Sequence, residues 1–396
     1  MPHPSSICPF ARLGRVAVLV GLGILGGLTP EPARGETMLV FIGTYTKDNN
    51  GSKGIYTLRF DAATGKLSEV ATTMVENPSF VAIHPGGKLV YSVGEMQDYE
   101  GKPGGAITAW ALGDDGKLTK LNQVSSRGSH PCHVAVHPSG RCLTVANYSS
   151  GSVVCVPLAG DGTLVGPGDL HEFTGHGPDA KRQDRPHAHS TTYTPDGSLA
   201  IVADLGTDKL RLFDVDAQAG KLTPHTPDAL TLTGGTGPRH MAFHPDGRTA
   251  YCNGEMGDEV FTLRYDAAKT SLQSLGSAPT LPPDAPNRAG NTTAEVAVHP
   301  SGRFVYASNR GHDSLAVFAV GDEDGTLTPV EVVPSGGKVP RNFAIDPTGK
   351  YLICAHQESD NLVIFKIDGE TGRLTPTGDE LTVPAAVCVK FHPTAK

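Results

Sequence analysis

Nine polar residues interrupt an otherwise regular sequence, and their types suit proton transfer and anion binding. They are His133, His187, His189, Arg239, Arg310, Arg341, Glu95, Glu255 and Gln357. Guanidinium groups hold carboxylates, phosphates or a developing oxyanion through several hydrogen bonds. An imidazole exchanges protons near neutral pH. Gathered in one funnel, these groups would make a cationic, hydrogen-bonding pocket inside an acidic chain.

The element that would gather them is a repeat. A hydrophobic triplet and a His-Pro or Asp-Pro pair (Thr-Pro once) recur seven times, from Val81-Ala-Ile-His-Pro85 to Val389-Lys-Phe-His-Pro393, and a glycine turn follows the first six. Successive prolines lie 53, 57, 50, 55, 47 and 46 residues apart. A second phrase, an acidic residue leading to Gly-Lys-Leu or a close variant, also occurs seven times and alternates with the first, as at Asp61–Leu67 and Asp216–Leu222. Each period holds four strand-like runs. In the fifth these are Arg239–His244, Arg248–Glu255, Glu259–Tyr265 and Ser271–Ala278. Short loops join them, and β-branched or aromatic residues recur inside them. The pattern predicts an all-β, seven-bladed β-propeller with four antiparallel strands per blade. The chain enters on a second-strand type of run, Met38–Thr46, and finishes on a first-strand type, Ala386–His392. The C-terminal strand is therefore expected to close the first blade and remove an exposed edge.

Strand direction divides the histidines. The first strand of a blade runs into the His-Pro turn and the second runs back, so the start of the first and the end of the second share one face. His84, His137, His244, His299 and His392 belong to the turns and read as repeat punctuation. First-strand starts on the other face supply His130, His133, His187, His189, Arg239, His240 and Arg341. Second-strand ends there supply Glu95, Asn147, Asp204, Asn253, Glu255, Asn309, Arg310, His356 and Gln357. Two connections, His171–His187 and Pro279–Thr293, are long enough to cover that mouth.

Composition bounds the rest. Residues 1–35 read as an export signal, with Arg12 and Arg15 before an apolar run, Val16 to Leu28, and small residues near Gly35. The remaining 36–396 form one propeller domain, expected to be periplasmic or secreted, with no membrane partner once the signal is removed. Thirty Lys and Arg face forty Asp and Glu there, a net charge of −10, which argues against nucleic acid. Six cysteines remain without CxxC spacing and read as buried thiols. No Gly-x-Ser-x-Gly elbow, Walker loop or HExxH is present. Oligomeric state is not set by the sequence.

Four segments resemble the seven-bladed propeller lactonases, a group with bacterial 6-phosphogluconolactonases and fungal carboxy-muconate cyclising enzymes. They are Gly175-His-Gly-Pro-Asp-Ala-Lys-Arg-Gln-Asp-Arg-Pro-His-Ala-His189, Gly237-Pro-Arg-His-Met-Ala-Phe-His-Pro245, Ala250-Tyr-Cys-Asn-Gly-Glu255 and Tyr306-Ala-Ser-Asn-Arg-Gly311. The resemblance implies a cofactor-free lactone hydrolase, similar to 6-phosphogluconolactonase and acting on a sugar or other anionic lactone, whose catalytic residues are His189, Arg239, Glu255 and Arg310. On this reading His189 is the base, the arginines bind the oxyanion or a substrate anion, and Glu255 orients His189 or passes a proton. His187, His133, Arg341, Glu95 and Gln357 are then substrate-binding. Gly254 departs from the larger residue common before that glutamate and loosens the strand end. Two other functions fit the propeller: a non-catalytic binding scaffold, or a muconate-type cycloisomerase. A calcium-dependent lactonase using Asn147, Asp204, Asn253 and Glu255 is a further possibility, which the adjacent arginines oppose.

Overall fold

Each blade is built outward from the channel by antiparallel hairpins. In the fifth blade the order from the axis is Pro238–Phe243, Thr249–Gly254, Glu259–Asp266 and Ser271–Pro279. The computed structural model describes residues 37–47 and 50–393, and in them seven such four-stranded sheets stand around one axis. The leader assigned to residues 1–35 lies outside the described residues. Each first strand packs against the first strands of both neighbouring blades, in a closed ring. The ring closes as expected: Ala386–Phe391 pairs with Thr37–Thr44 in the register Val40↔Phe391, Ile42↔Val389 and Thr44↔Ala386.

The repeated phrases are the joints between blades. The turn histidine of one blade bonds the turn carbonyl of the next: His84 Nε2 to Gly140 O at 3.1 Å, His137 to Gly197 at 2.9 Å, His244 to Gly302 at 3.0 Å, His299 to Gly349 at 2.8 Å and His392 to Gly87 at 2.6 Å. The second phrase serves the outer hairpins. Tyr251 and Tyr306 donate to Gly325 O at 2.7 Å and Gly372 O at 2.8 Å, one blade on. Gly325 has φ +75°, and a Cβ there would collide with Thr249, so glycine is required on both counts. Between the blades lie buried clusters of Val, Ile, Leu and aromatic side chains, such as Tyr306, Phe343, Leu352 and Phe365. All six cysteines of the described residues are buried and unpaired.

Candidate active site

Second strands end at the face opposite the proline turns, and one carboxylate there organises the mouth of the channel. Glu255, which follows Thr249–Gly254, is buried among guanidiniums. Its Oε2 accepts from Arg239 Nε at 2.9 Å and lies 3.1 Å from Arg310 Nη2. Its Oε1 accepts from Arg182 Nη2 at 2.5 Å. Burial alone would raise the Glu255 pKa, but Arg310, Arg239 and Arg182 outweigh it and hold the carboxyl well below the usual carboxylate range. Glu255 is thus a fixed anion and does not carry protons in the neutral range.

Arg239 is 2 % exposed and also donates through Nη1 to the carbonyl of Ala294. Burial, Arg310 and Arg341 all push its pKa down. A guanidinium does not surrender its proton, so this pressure becomes a demand for another anion. Arg310 reaches the carbonyl of Thr293 at 2.8 Å, and its buried Nε has no partner among the described residues. Arg341 donates to Tyr45 Oη at 3.1 Å and to Gln357 Oε1 at 3.4 Å. Glu95 accepts from Tyr45 Oη at 3.0 Å and from Ser79 Oγ at 2.5 Å, and so does not pair with Arg239. Four guanidiniums therefore face Glu255 and Glu95 at the mouth, and Glu295 adds a third carboxylate near Arg239, leaving one positive charge in excess.

His189 lies beside them. Its Nε2 is 3.9 Å from Glu255 Oε2, and its buried Nδ1 has no partner among the described residues. Burial, Arg239, His240 and Arg341 hold its pKa well below the ordinary value, so the ring is neutral. His189, Arg239, Arg341, Glu95, Tyr45 and His240 bound a cavity of about 10 Å³. A larger cavity of about 530 Å³, lined also by Gln357, adjoins it through Tyr45, Glu95 and Arg341.

Strand direction thus brings His189, Arg239, Glu255, Arg310, Arg341, Glu95 and Gln357 to one mouth. Two residues assigned to substrate binding sit elsewhere. His187 stacks on Tyr148 at 4.5 Å, bonds its carbonyl through Nδ1 at 3.1 Å and faces Asp184 at 3.5 Å, so it props the long loop. His133 lies one layer deeper, against Phe80 at 4.1 Å and His240 at 5.3 Å; it lines the cavity that opens toward the proline turns, as His240 and Glu295 also do, and does not reach the small cavity beside Arg239. The four residues weighed as calcium ligands are each engaged separately. Asp204 takes Arg211 at 2.9 Å, Asn253 caps the His240 backbone at 2.9 Å, and Asn147 donates to Ser126 O at 3.1 Å, which leaves no shared cation centre.

Two participants escaped the sequence reading. Arg182 comes from the long loop between Asp169–Glu172 and Ala188–Tyr193, where length is legible but direction is not. Arg182→Ala is expected to reduce kcat/KM about tenfold, by loosening one charge-assisted hydrogen bond worth roughly 1.5–3 kcal/mol, with the melting temperature little changed. Steady-state kinetics and a thermal melt check it. Glu295 carried a readable signal. The residue just before each hydrophobic triplet, Phe80, His133, Ser190, His240, Glu295, Asn342 and Cys388, takes six types across seven blades while its neighbours repeat.

Residues 39–391 match the family model described as Lactonase, 7-bladed beta-propeller. The chain is 37 % identical over 304 residues to the 6-phosphogluconolactonase of Bacillus subtilis, covering 76 % of this chain and 83 % of that protein. It is 32 % identical over 310 residues to the 6-phosphogluconolactonase of Formosa agariphila, covering 76 % and 85 %. The solved periplasmic gluconolactonase of Pseudomonas aeruginosa superposes with a TM-score of 0.84 at 29 % identity, covering 91 % of this chain and all of that one. With its seven closed blades and an arginine-bound glutamate at the channel mouth, the chain belongs to the seven-bladed β-propeller lactonase family.

Proposed function

We propose that the protein is an exported lactonase that opens unphosphorylated aldonolactones to their hydroxy acids. The observation that carries the reading is the arginine-rich mouth: four guanidiniums against three carboxylates, Glu255, Glu95 and Glu295, and a neutral imidazole beside a pocket of substrate size. Hydrolysis of a lactone develops one negative charge on the carbonyl oxygen and ends in a carboxylate. Preorganised guanidiniums in a water-poor site favour both. Arg239 and Arg310 face that charge, and Glu255 keeps the two side by side. The unpartnered Nδ1 of His189 can accept a hydrogen bond from water or a substrate hydroxyl.

The outer pocket favours hydroxyl groups over phosphate. Lys47 and Arg341 there face Glu95, Glu358 and Asp360, with Asn50 and Gln357 between them. Three carboxylates against two cations repel a dianion, whereas the same groups hydrogen-bond a polyol. An exported protein also meets unphosphorylated sugar acids, as the name of the Pseudomonas relative indicates for that protein.

The test is proton release in a pH-stat with glucono-δ-lactone and with its 6-phosphate, corrected for spontaneous opening. We expect kcat/KM for the plain lactone to exceed that for the phosphate at least about tenfold, the discrimination one repelled charge supplies. Faster turnover of the phosphate would refute the substrate assignment. Absence of turnover with either lactone, or with an aromatic-acid lactone, would leave a binding propeller.

A further inference from the structure

The small cavity beside Arg239 and Arg341 is bounded by a second imidazole, His240. Its volume of about 10 Å³ suits one water molecule. His240 lies 3.0 Å through Nδ1 from Glu295 Oε2 and 3.1 Å from Oε1, and its buried Nε2 has no partner among the described residues. Glu295 is itself fixed. Asn342 Nδ2 donates to its Oε2, the Val296 amide donates to its Oε1 at 3.0 Å, and Asn342 Oδ1 is pinned by the Val389 amide at 2.7 Å. A carboxylate from one blade thus sets the tautomer of an imidazole from the preceding blade, with the proton on Nδ1 and the lone pair on Nε2.

We propose that His240, oriented by Glu295, is the base that activates the hydrolytic water; the proposal rests on the lactonase reading above. His240 Nε2 takes a proton as the water oxygen bonds to the lactone carbonyl carbon. The tetrahedral oxyanion collapses, the bond from the acyl carbon to the ring oxygen breaks, and that oxygen receives the proton from the imidazolium. Lactone and water give one hydroxy acid, and the base is regenerated. The positive charge that forms on His240 is met by Glu295. On His189 it would add to Arg239, Arg341 and Arg310, with Glu255 3.9 Å away and already shared by three guanidiniums. The charged or titratable groups facing His240 are Glu295, Arg239, Lys390, His133 and His189.

His240→Asn keeps a donor for Glu295 and removes the base. Its kcat is expected to fall at least about a hundredfold, with KM and the affinity for the gluconate product, by calorimetry, within about threefold. Glu295→Gln, a positioning variant, is expected to lower kcat at least about tenfold and to move the acid limb of the kcat–pH profile to lower pH, because the imidazolium loses its counter-charge. A folded His240→Asn protein that retains more than a third of wild-type kcat would overturn the assignment. Neutron diffraction from wild-type crystals needs no variant. Deuterium on Nδ1 with a bare Nε2 is expected, and deuterium on Nε2 would overturn it. Wild-type protein without lactone turnover defeats the parent reading as well, whereas turnover that survives loss of His240 defeats this assignment alone.

Discussion

Glu255→Gln is expected to cost about 3–5 kcal/mol of folding free energy, the range found when one partner of a buried charge pair is removed. The reasoning is local. Arg182, Arg239 and Arg310 all direct donors at this one carboxylate, at 2.5, 2.9 and 3.1 Å. Arg239 and Arg310 are nearly buried, so water cannot replace the lost charge. The glutamine amide keeps one acceptor oxygen and turns donors toward guanidiniums that have no use for them. Lactone turnover falls with it, because Arg239 and Arg310 no longer sit side by side where an oxyanion forms. Denaturant titration measures the stability term. A second reading separates charge from shape: the carboxylate product should stabilise the variant against heat more than it stabilises wild type, since an added anion supplies the missing charge. A loss below about 1 kcal/mol, the level of an exposed ion pair, would show that Glu255 does not neutralise the cluster.

The propeller was readable because its joints repeat. A turn histidine that must reach the next blade's glycine carbonyl cannot vary without loosening a blade interface, so His84, His137, His244, His299 and His392 recur. Their abundance is structural, and reading them as repeat punctuation left the irregular residues visible. Strand polarity then placed Arg239, Glu255, Arg310 and His189 at one end, since antiparallel pairing fixes which strand ends share a face. Polarity says nothing of depth along the axis. That is why His133, at the start of a first strand like its neighbours, proves to lie a layer below the mouth. Nor does it give the direction of a loop side chain, which hid Arg182 and turned His187 onto Tyr148. Glu295 and His240 are one blade apart and equivalent in register; only a column compared across all seven blades isolates them.

Acid should unfold this protein early, and the buried histidines supply the reason. His133, His189 and His356 have pKa values pushed down, first by burial and, for the first two, by neighbouring cations or imidazoles; His240 is pushed down to about 4 by burial against the pull of Glu295. In the unfolded chain all four titrate near 6.5. Below that pH the unfolded state binds protons that the folded state refuses, so stability is complete above pH 6.5 and declines as pH falls toward the folded values. Each strongly depressed histidine contributes up to about 1.4 kcal/mol per pH unit, and His133, His189 and His240 together up to about 4. Between pH 6.5 and 4.5 the loss approaches the whole stability of an ordinary domain, about 5–15 kcal/mol. The depressed carboxyls Glu255 and Glu295 act in the same direction, but only at lower pH, where the unfolded carboxyls begin to take protons. Denaturant midpoints collected from pH 7.5 to 4.5 should show a net uptake of at least about two protons on unfolding near pH 5.5, from His133, His189 and His240, with His356 adding in the same direction. A net uptake below one proton would mean that these rings are charged in the fold, and a charged His240 would not serve as a base.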